Sequence, residues 1–142
     1  MKDTIAYIET EKRTYPFVFN LNVMEAIQEE YGTLDNWGDL TNGEAYAKKA
    51  YEATGNKKPW ESLSEKEKSK YVGEPDIKAL IFGYTAMINE GIDSENEETG
   101  TDIKPLTRKQ VGRIITEVGV VDATRKLNKT VVESSQSTEK NE

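Results

Sequence analysis

The chain has 142 residues, 35% of them hydrophobic and 32% charged, with a formal net charge of −7; that suits one domain with a modest core and a well-solvated surface. It contains no cysteine and no histidine, which excludes disulfides, zinc sites of thiolate or imidazole, cysteine nucleophiles, Ser-His-Asp triads and histidine pH switches. The acidity argues against generic binding to nucleic acid or anionic membranes, and no apolar run approaches the ~20 residues that span a bilayer.

Met1-Lys2-Asp3 leads into a strand-like pattern with no apolar signal region, so the expected compartment is the cytoplasm. Ile5–Glu9 and Tyr15–Leu21 read as strands joined by a charged turn, a hairpin over about residues 4–21. In the second strand Tyr15, Phe17, Phe19 and Leu21 alternate with Pro16, Val18 and Asn20, the period of a half-buried strand. Pro16 cannot donate a ladder hydrogen bond, which predicts an edge position or a strand start. A lone hairpin is only marginally stable in water, so it must lie on helices or pair its edge with another chain.

Asn22 is the expected N-cap of a helix over Val23–Tyr31, with Gly32 as its stop. Trp37 and Leu40 follow in a turn-rich segment and are expected to plug the edge of the core. Glu44–Thr54 reads as a helix with Tyr46, Ala47, Ala50 and Tyr51 on one face and Gly55 at its end. Lys57–Trp60 is a connector, and Ser64 with Glu67 makes a capping box for a polar helix through Val72. That helix has too little apolar surface for a core and is expected to be a mobile surface element. Trp60 and Tyr71 flank it and are candidate exposed anchors for a partner, because such side chains bury large area while keeping a polar handle.

Pro75 suits the first turn of a helix whose Ile77, Leu80, Ile81, Tyr84, Met87 and Ile88 form a core stripe. Gly83 inside it costs about 1 kcal/mol relative to alanine, which points to a close approach at that position. Gly91 is the expected C-cap, leaving Glu90, Asp93, Glu95, Glu97, Glu98 and Asp102 in an acidic loop over 90–102. Thr107 and Gln110 then form a capping box for a helix with Val111, Ile114, Ile115 and Val118 on one side, stopped by Gly119. A last helix, Val121 to about Glu133, aligns Ala123, Leu127 and Val131. Residues 135–142 are polar and apolar-poor, the composition of a disordered, flexible tail.

Carboxylates at alternating positions of the acidic segment raise the possibility of calcium. The spacing argues against it: counting from Asp93, Glu98 stands where an EF-hand needs glycine and Lys104 where it needs glutamate. Nor do freely hydrated acids suit paired-carboxylate hydrolysis, which needs an apolar pocket to separate their pKa values. Arg108, Lys109, Arg113, Arg125, Lys126 and Lys129 make the last two helices basic. One reading is a helix-turn-helix contacting DNA through Gln110, Arg113 and Arg125; the other is solvated charge, partly neutralised by the acidic loop. No glycine-rich phosphate loop is present, and the segment around Lys57-Lys58 lacks Walker spacing.

The phrase IKALIFGYTAMINEGIDSENEETGTDIKPLTRKQVGRIITEVG, followed by VVDATRKLNKTVVES, resembles the tail assembly chaperones of long-tailed bacteriophages of Gram-positive hosts. The opening TYPFVFNLNVMEAIQEEYGTLDNW looks like the start of the same family, so the likeness runs from about Ile5 to Glu133, least well over Lys57–Val72. The resemblance implies a non-enzymatic protein of the host bacterial cytoplasm, absent from the mature virion. It implies binding to the phage tape measure protein and assistance to tail tube subunits, with no cofactor, no metal and no catalytic residue to carry over. In this family a longer product often arises by ribosomal frameshifting, and Glu139-Lys140-Asn141 is compatible with an A-rich slippery run.

The expected fold is α+β: one predominantly helical domain over residues 1–134, with an N-terminal hairpin and a flexible tail over 135–142. Trp60, Tyr71, Arg113 and Arg125 are the candidate partner-binding residues. Tape measure and tail tube proteins are the expected partners, with no nucleic acid and no membrane, and with self-association left open. The alternative function is a small helical DNA-binding regulator that uses the basic C-terminal helices.

Overall fold

The computed structural model describes residues 5–41, 43–68, 70–71 and 75–140. Alternation in the first twenty residues produces a hairpin. Strands β1 (Ile5–Glu9) and β2 (Thr14–Val18) pair antiparallel, from Ile5 opposite Val18 to Glu9 opposite Thr14. The Thr10 N–H and hydroxyl both donate to the Arg13 carbonyl, at 2.9 and 2.8 Å, and close the turn. Hydrogen-bonded pairs alternate with non-bonded ones outward from that turn, so Tyr7 and Pro16 meet at a position that needs no donor.

β2 stops at Val18, short of the expected Leu21, because Asn20 and not Asn22 caps the next helix. The Asn20 side chain accepts from the Val23 amide at 3.2 Å, and α1 runs from Leu21 to Tyr31 before Gly32 ends it at φ 83°. Asn22 instead donates to Glu90 at 3.2 Å, tying α1 to a later helix. Trp37 sits on a helix, α2 (Leu34–Thr41), and lies inside the main core, not at its edge. Helices α3 (Gly43–Glu52) and α4 (Glu65–Lys68) flank a single 3₁₀ turn, Trp60–Ser62.

The spine of the fold is α5 (Ile77–Thr99). Its N-cap is Asp76, whose carboxylate accepts from the Ala79 amide at 2.9 Å, so Pro75 precedes the cap and does not enter the first turn. Leu80, Tyr84, Met87 and Ile88 are buried as their spacing predicts, whereas Ile77 is exposed. Gly83 marks a close approach: a Cβ there would lie 2.5 Å from Cζ2 of Trp37. Gly91 does not end the helix. A Cβ at Gly91 would lie 2.8 Å from Cβ of Pro16, so this glycine is where β2 packs on an unbroken helix. The true C-cap is Gly100, at φ 71° in the left-handed region. Residues 90–99 of the expected acidic loop are therefore helical.

Two asparagines on α5 hold the connector that follows. Asn96 pairs with both backbone groups of Ile103, donating to its carbonyl at 2.9 Å and accepting from its amide at 3.0 Å. Asn89 does the same with Leu106, at 3.0 and 2.8 Å. The Thr107–Gln110 capping box then forms as read and opens α6 (Arg108–Val118), which Gly119 stops at φ 96°. α7 spans Val120–Lys140 and so continues over residues 135–140, where the polar composition predicts a tail; residues 141 and 142 lie outside the described residues.

The main core gathers the inner side of the hairpin, α1, α2, α5, α6 and α7. The rings of Phe17 and Tyr84 are 4.6 Å apart, and the Tyr84 hydroxyl donates to the Ala123 carbonyl at 2.6 Å, joining α5 to α7. The fold is thus the expected one, mostly helical with an N-terminal two-stranded hairpin.

Gly83→Ala is expected to lower stability by up to about 2 kcal/mol, the overpacking cost of about 1–3 kcal/mol less the propensity gain of roughly 1 kcal/mol; chemical denaturation checks this. A second expectation concerns alkali. Burial pushes the Tyr84 phenol well above its ordinary pKa, while the unfolded phenol ionises near 10. The neutral phenol's stabilisation is therefore complete below about pH 10 and declines as pH rises further. Tyr84→Phe should flatten that alkaline decline in denaturation experiments while costing about 1 kcal/mol at neutral pH for the lost hydrogen bond.

Candidate functional site

The segment between α2 and α5 folds on its own small core. Ala47 and Tyr51 of α3 pack with Trp60 and Leu63, and Tyr71 leans against them. The three rings contact one another: Tyr51 to Trp60 at 5.7 Å, Tyr51 to Tyr71 at 5.1 Å and Trp60 to Tyr71 at 6.2 Å between centroids. The Tyr51 hydroxyl donates to the Lys58 carbonyl at 2.6 Å, and the Lys68 ammonium lies 5.5 Å from the Trp60 ring centre. The Ser64–Glu67 capping box forms as read, but α4 is a single short turn of exposed or half-buried residues.

Trp60 is therefore corrected from exposed anchor to buried aromatic, 5% exposed, and Tyr71 is half-buried against it. The physical reason is mutual burial: two aromatics too far apart in sequence to suggest contact are brought together around Tyr51, and each supplies the apolar surface the other needs. On α3, Ala50 is exposed and not part of the expected apolar face, and the Tyr46 side chain lies outside the described residues. The module's entry and exit are drawn together, since the Asp76 amide donates to the Leu40 carbonyl at 2.9 Å. Asn128 of α7 donates to the Thr41 carbonyl at 3.3 Å beside that neck.

A shallow cleft of about 270 Å³ opens on this module between Lys48, Tyr51, Glu52 and the loop from Asn56 to Glu61. Lys48 and Glu61 form an ion pair across it at 3.0 Å, and the Glu61 carboxyl is held below its ordinary range by its backbone hydrogen bond and then by Lys48. One cation and one carboxylate of the cleft thus already satisfy each other.

Arg113 and Arg125 lie exposed on α6 and α7, as the helical spacing predicts. The expected neutralisation by the acidic segment is absent: no salt bridge joins residues 90–102 to α6 or α7 among the described residues. The acids ride on the outer surface of the last turns of α5 and on the connector, with Asp93, Glu97, Glu98 and Asp102 exposed. Among the described residues no group of three acids could hold a metal ion, and no helix is long and apolar enough to cross a membrane.

Two further surfaces were not singled out by sequence reasoning. β1 is an edge strand whose outward residues Ile5 and Tyr7 are exposed, and the opposite edge carries Pro16, buried against α5. On α7, Val121 and Val132 are exposed beside Arg125 and Lys129. The signal for the first lay in the odd-numbered alternation of β1; the second was hidden because the same helix has a stronger apolar stripe facing inward. Comparison with protein-family models, with curated proteins and with solved structures finds no match.

Among the described residues the small aromatic core holds four buried residues where the main core holds seventeen, so the module should open locally at lower free energy than the spine. Native-state hydrogen exchange is expected to show weaker protection in α3 than in the middle of α5; equal protection in both would contradict two separately packed cores.

Proposed function

We propose that this chain is a non-catalytic phage tail assembly chaperone of the host cytoplasm, which binds the tape measure protein, assists tail tube subunits and is absent from the finished virion. The observation that carries the reading is the wording of residues 77–119. The fold makes that wording a single unit. Asn89 in one part of the phrase pairs with Leu106 in another, and Thr107 with Gln110 fixes the start of the next helix. The residues that carry the resemblance thus pack against one another in this chain. The exposed edge of β1 and the outer face of α7 give such a protein apolar surface with which to hold a long amphipathic chain.

The test is co-expression with the product of the neighbouring long coiled-coil reading frame. Expected outcomes are a soluble complex that co-purifies, and no retention of duplex DNA at physiological salt. The reading falls if no such neighbour exists, or if its product precipitates unbound. Salt-sensitive duplex binding through Arg113 and Arg125 would instead favour the DNA-binding regulator.

A further inference from the structure

We propose that the outer face of α7 is a docking surface for an acidic amphipathic helix. The inference rests on the reading above only in taking the partner to be a helical polypeptide. At about 100° and 1.5 Å per residue, Val121, Arg125, Lys129 and Val132 fall within an arc of about 80° that runs about 16 Å along the helix. Val121 is 38% exposed and Val132 53%. Two β-branched side chains thus face water on one stripe, three turns apart, where the apolar face of a partner helix can lie along them.

The charge on the stripe sets the chemistry of the occupant. Among the described residues Arg125 makes no salt bridge, and Lys129 meets Glu133 only at 4.0 Å, in an exposed pair that solvent screens. Asp122 and Glu133 lie beyond the arc on one side. The preceding helix also carries two exposed cations, Lys109 and Arg113, neither in a salt bridge among the described residues. An occupant that covers the valines must therefore bring carboxylates to these cations.

Two other occupants fit less well. A second copy docking its own α7 would set Arg125 and Lys129 against cations of the same stripe, because a two-fold interface pairs like surface with like. A nucleic-acid duplex would meet the cations but gains nothing from the valines, and the chain's net charge of −7 repels it. An acidic helix satisfies both the apolar and the charged parts of the stripe.

Fluorescence anisotropy tests this with a labelled designed helical peptide carrying leucines at i, i+3, i+4 and i+7 and glutamates on the flanks. A counterpart with lysine for glutamate and a DNA duplex serve as competing probes. The acidic peptide should bind, more weakly as salt rises, and the lysine peptide should not. R125E/K129E and Val132→Asp should each weaken binding at least ~10-fold, in the range expected for charged contacts at an interface, with unchanged thermal melting because these side chains are exposed. Equal binding by the lysine peptide, tighter binding by DNA, no binding of the acidic peptide, or indifference to both substitutions would each overturn the proposal. Co-purification with the tape measure protein is scored separately. If it persists in R125E/K129E, the docking face is wrong and the function stands. If the tape measure protein ignores a chain that binds acidic helices through α7, the function is wrong and the face stands.

Discussion

Two side chains press against α5 where it has no Cβ, and the rest of the packing follows from that. At Gly83 the indole of Trp37 occupies the space a methyl group would fill, and at Gly91 the ring of Pro16 does the same. Each glycine costs a helix about 1 kcal/mol in propensity, and burying a large side chain contributes roughly 1.5–3 kcal/mol, so the exchange is favourable. The indole N–H donates to the Ala79 carbonyl at 3.1 Å, so this buried polar group of α2 is satisfied on the same helix that accommodates its ring. One glycine seats α2 and the other seats the hairpin. Seven residues of α5 lie between the two positions, so the hairpin and α2 share a single rigid support.

A two-stranded hairpin is only marginally stable alone in water, and here it is held chiefly by packing on α5. Pro16 serves twice: it removes a donor from the outer edge of β2, and its ring fills the notch at Gly91. That leaves β1 as the open edge, with Ile5 and Tyr7 outward. At the hairpin tip, the Glu11 amide donates to the Glu117 carboxylate at 2.9 Å, so α6 fastens the end of the turn.

Much of this was legible in the sequence wherever the signal is local. Capping boxes at Ser64–Glu67 and Thr107–Gln110, the stops at Gly32 and Gly119, and the stripe from Leu80 to Ile88 depend on residues a few positions apart, and each formed as read. Gly91 misled because a helical glycine has two meanings: it can end a helix by adopting positive φ, or admit a neighbour by lacking a Cβ. Local pattern cannot choose between them; Pro16, seventy-five positions earlier, does. Asn22 reads as the cap of α1, but Asn20, which reads as part of the strand, takes that role because β2 ends earlier, at Val18. Trp60 and Tyr71 were misplaced because their burial depends on Tyr51 and on each other. Of the candidate binding residues, only the exposure of Arg113 and Arg125 follows from helical spacing alone. The clamps of Asn89 and Asn96 were invisible, since an asparagine that pairs with distant backbone looks the same in sequence as one that faces solvent.

The same clamps bear on how charge is distributed. Residues 90–102 carry six acids and no base, while 104–129 carry seven bases and two acids. In a flexible loop those acids could fold back onto the basic helices that follow. Continuing α5 to Thr99 and pinning Ile103 and Leu106 to it removes that freedom, because the acids are committed to the far turns of one helix before the chain reverses. Among the described residues no salt bridge joins these acids to α6 or α7, so neither surface is neutralised by direct pairing with the other. The acidic turns then maintain solubility, and the cations of α6 and α7 stay available to an external carboxylate. A chain with an overall excess of acid can in this way present a basic face, provided its backbone, and not its side chains, decides where the acids go.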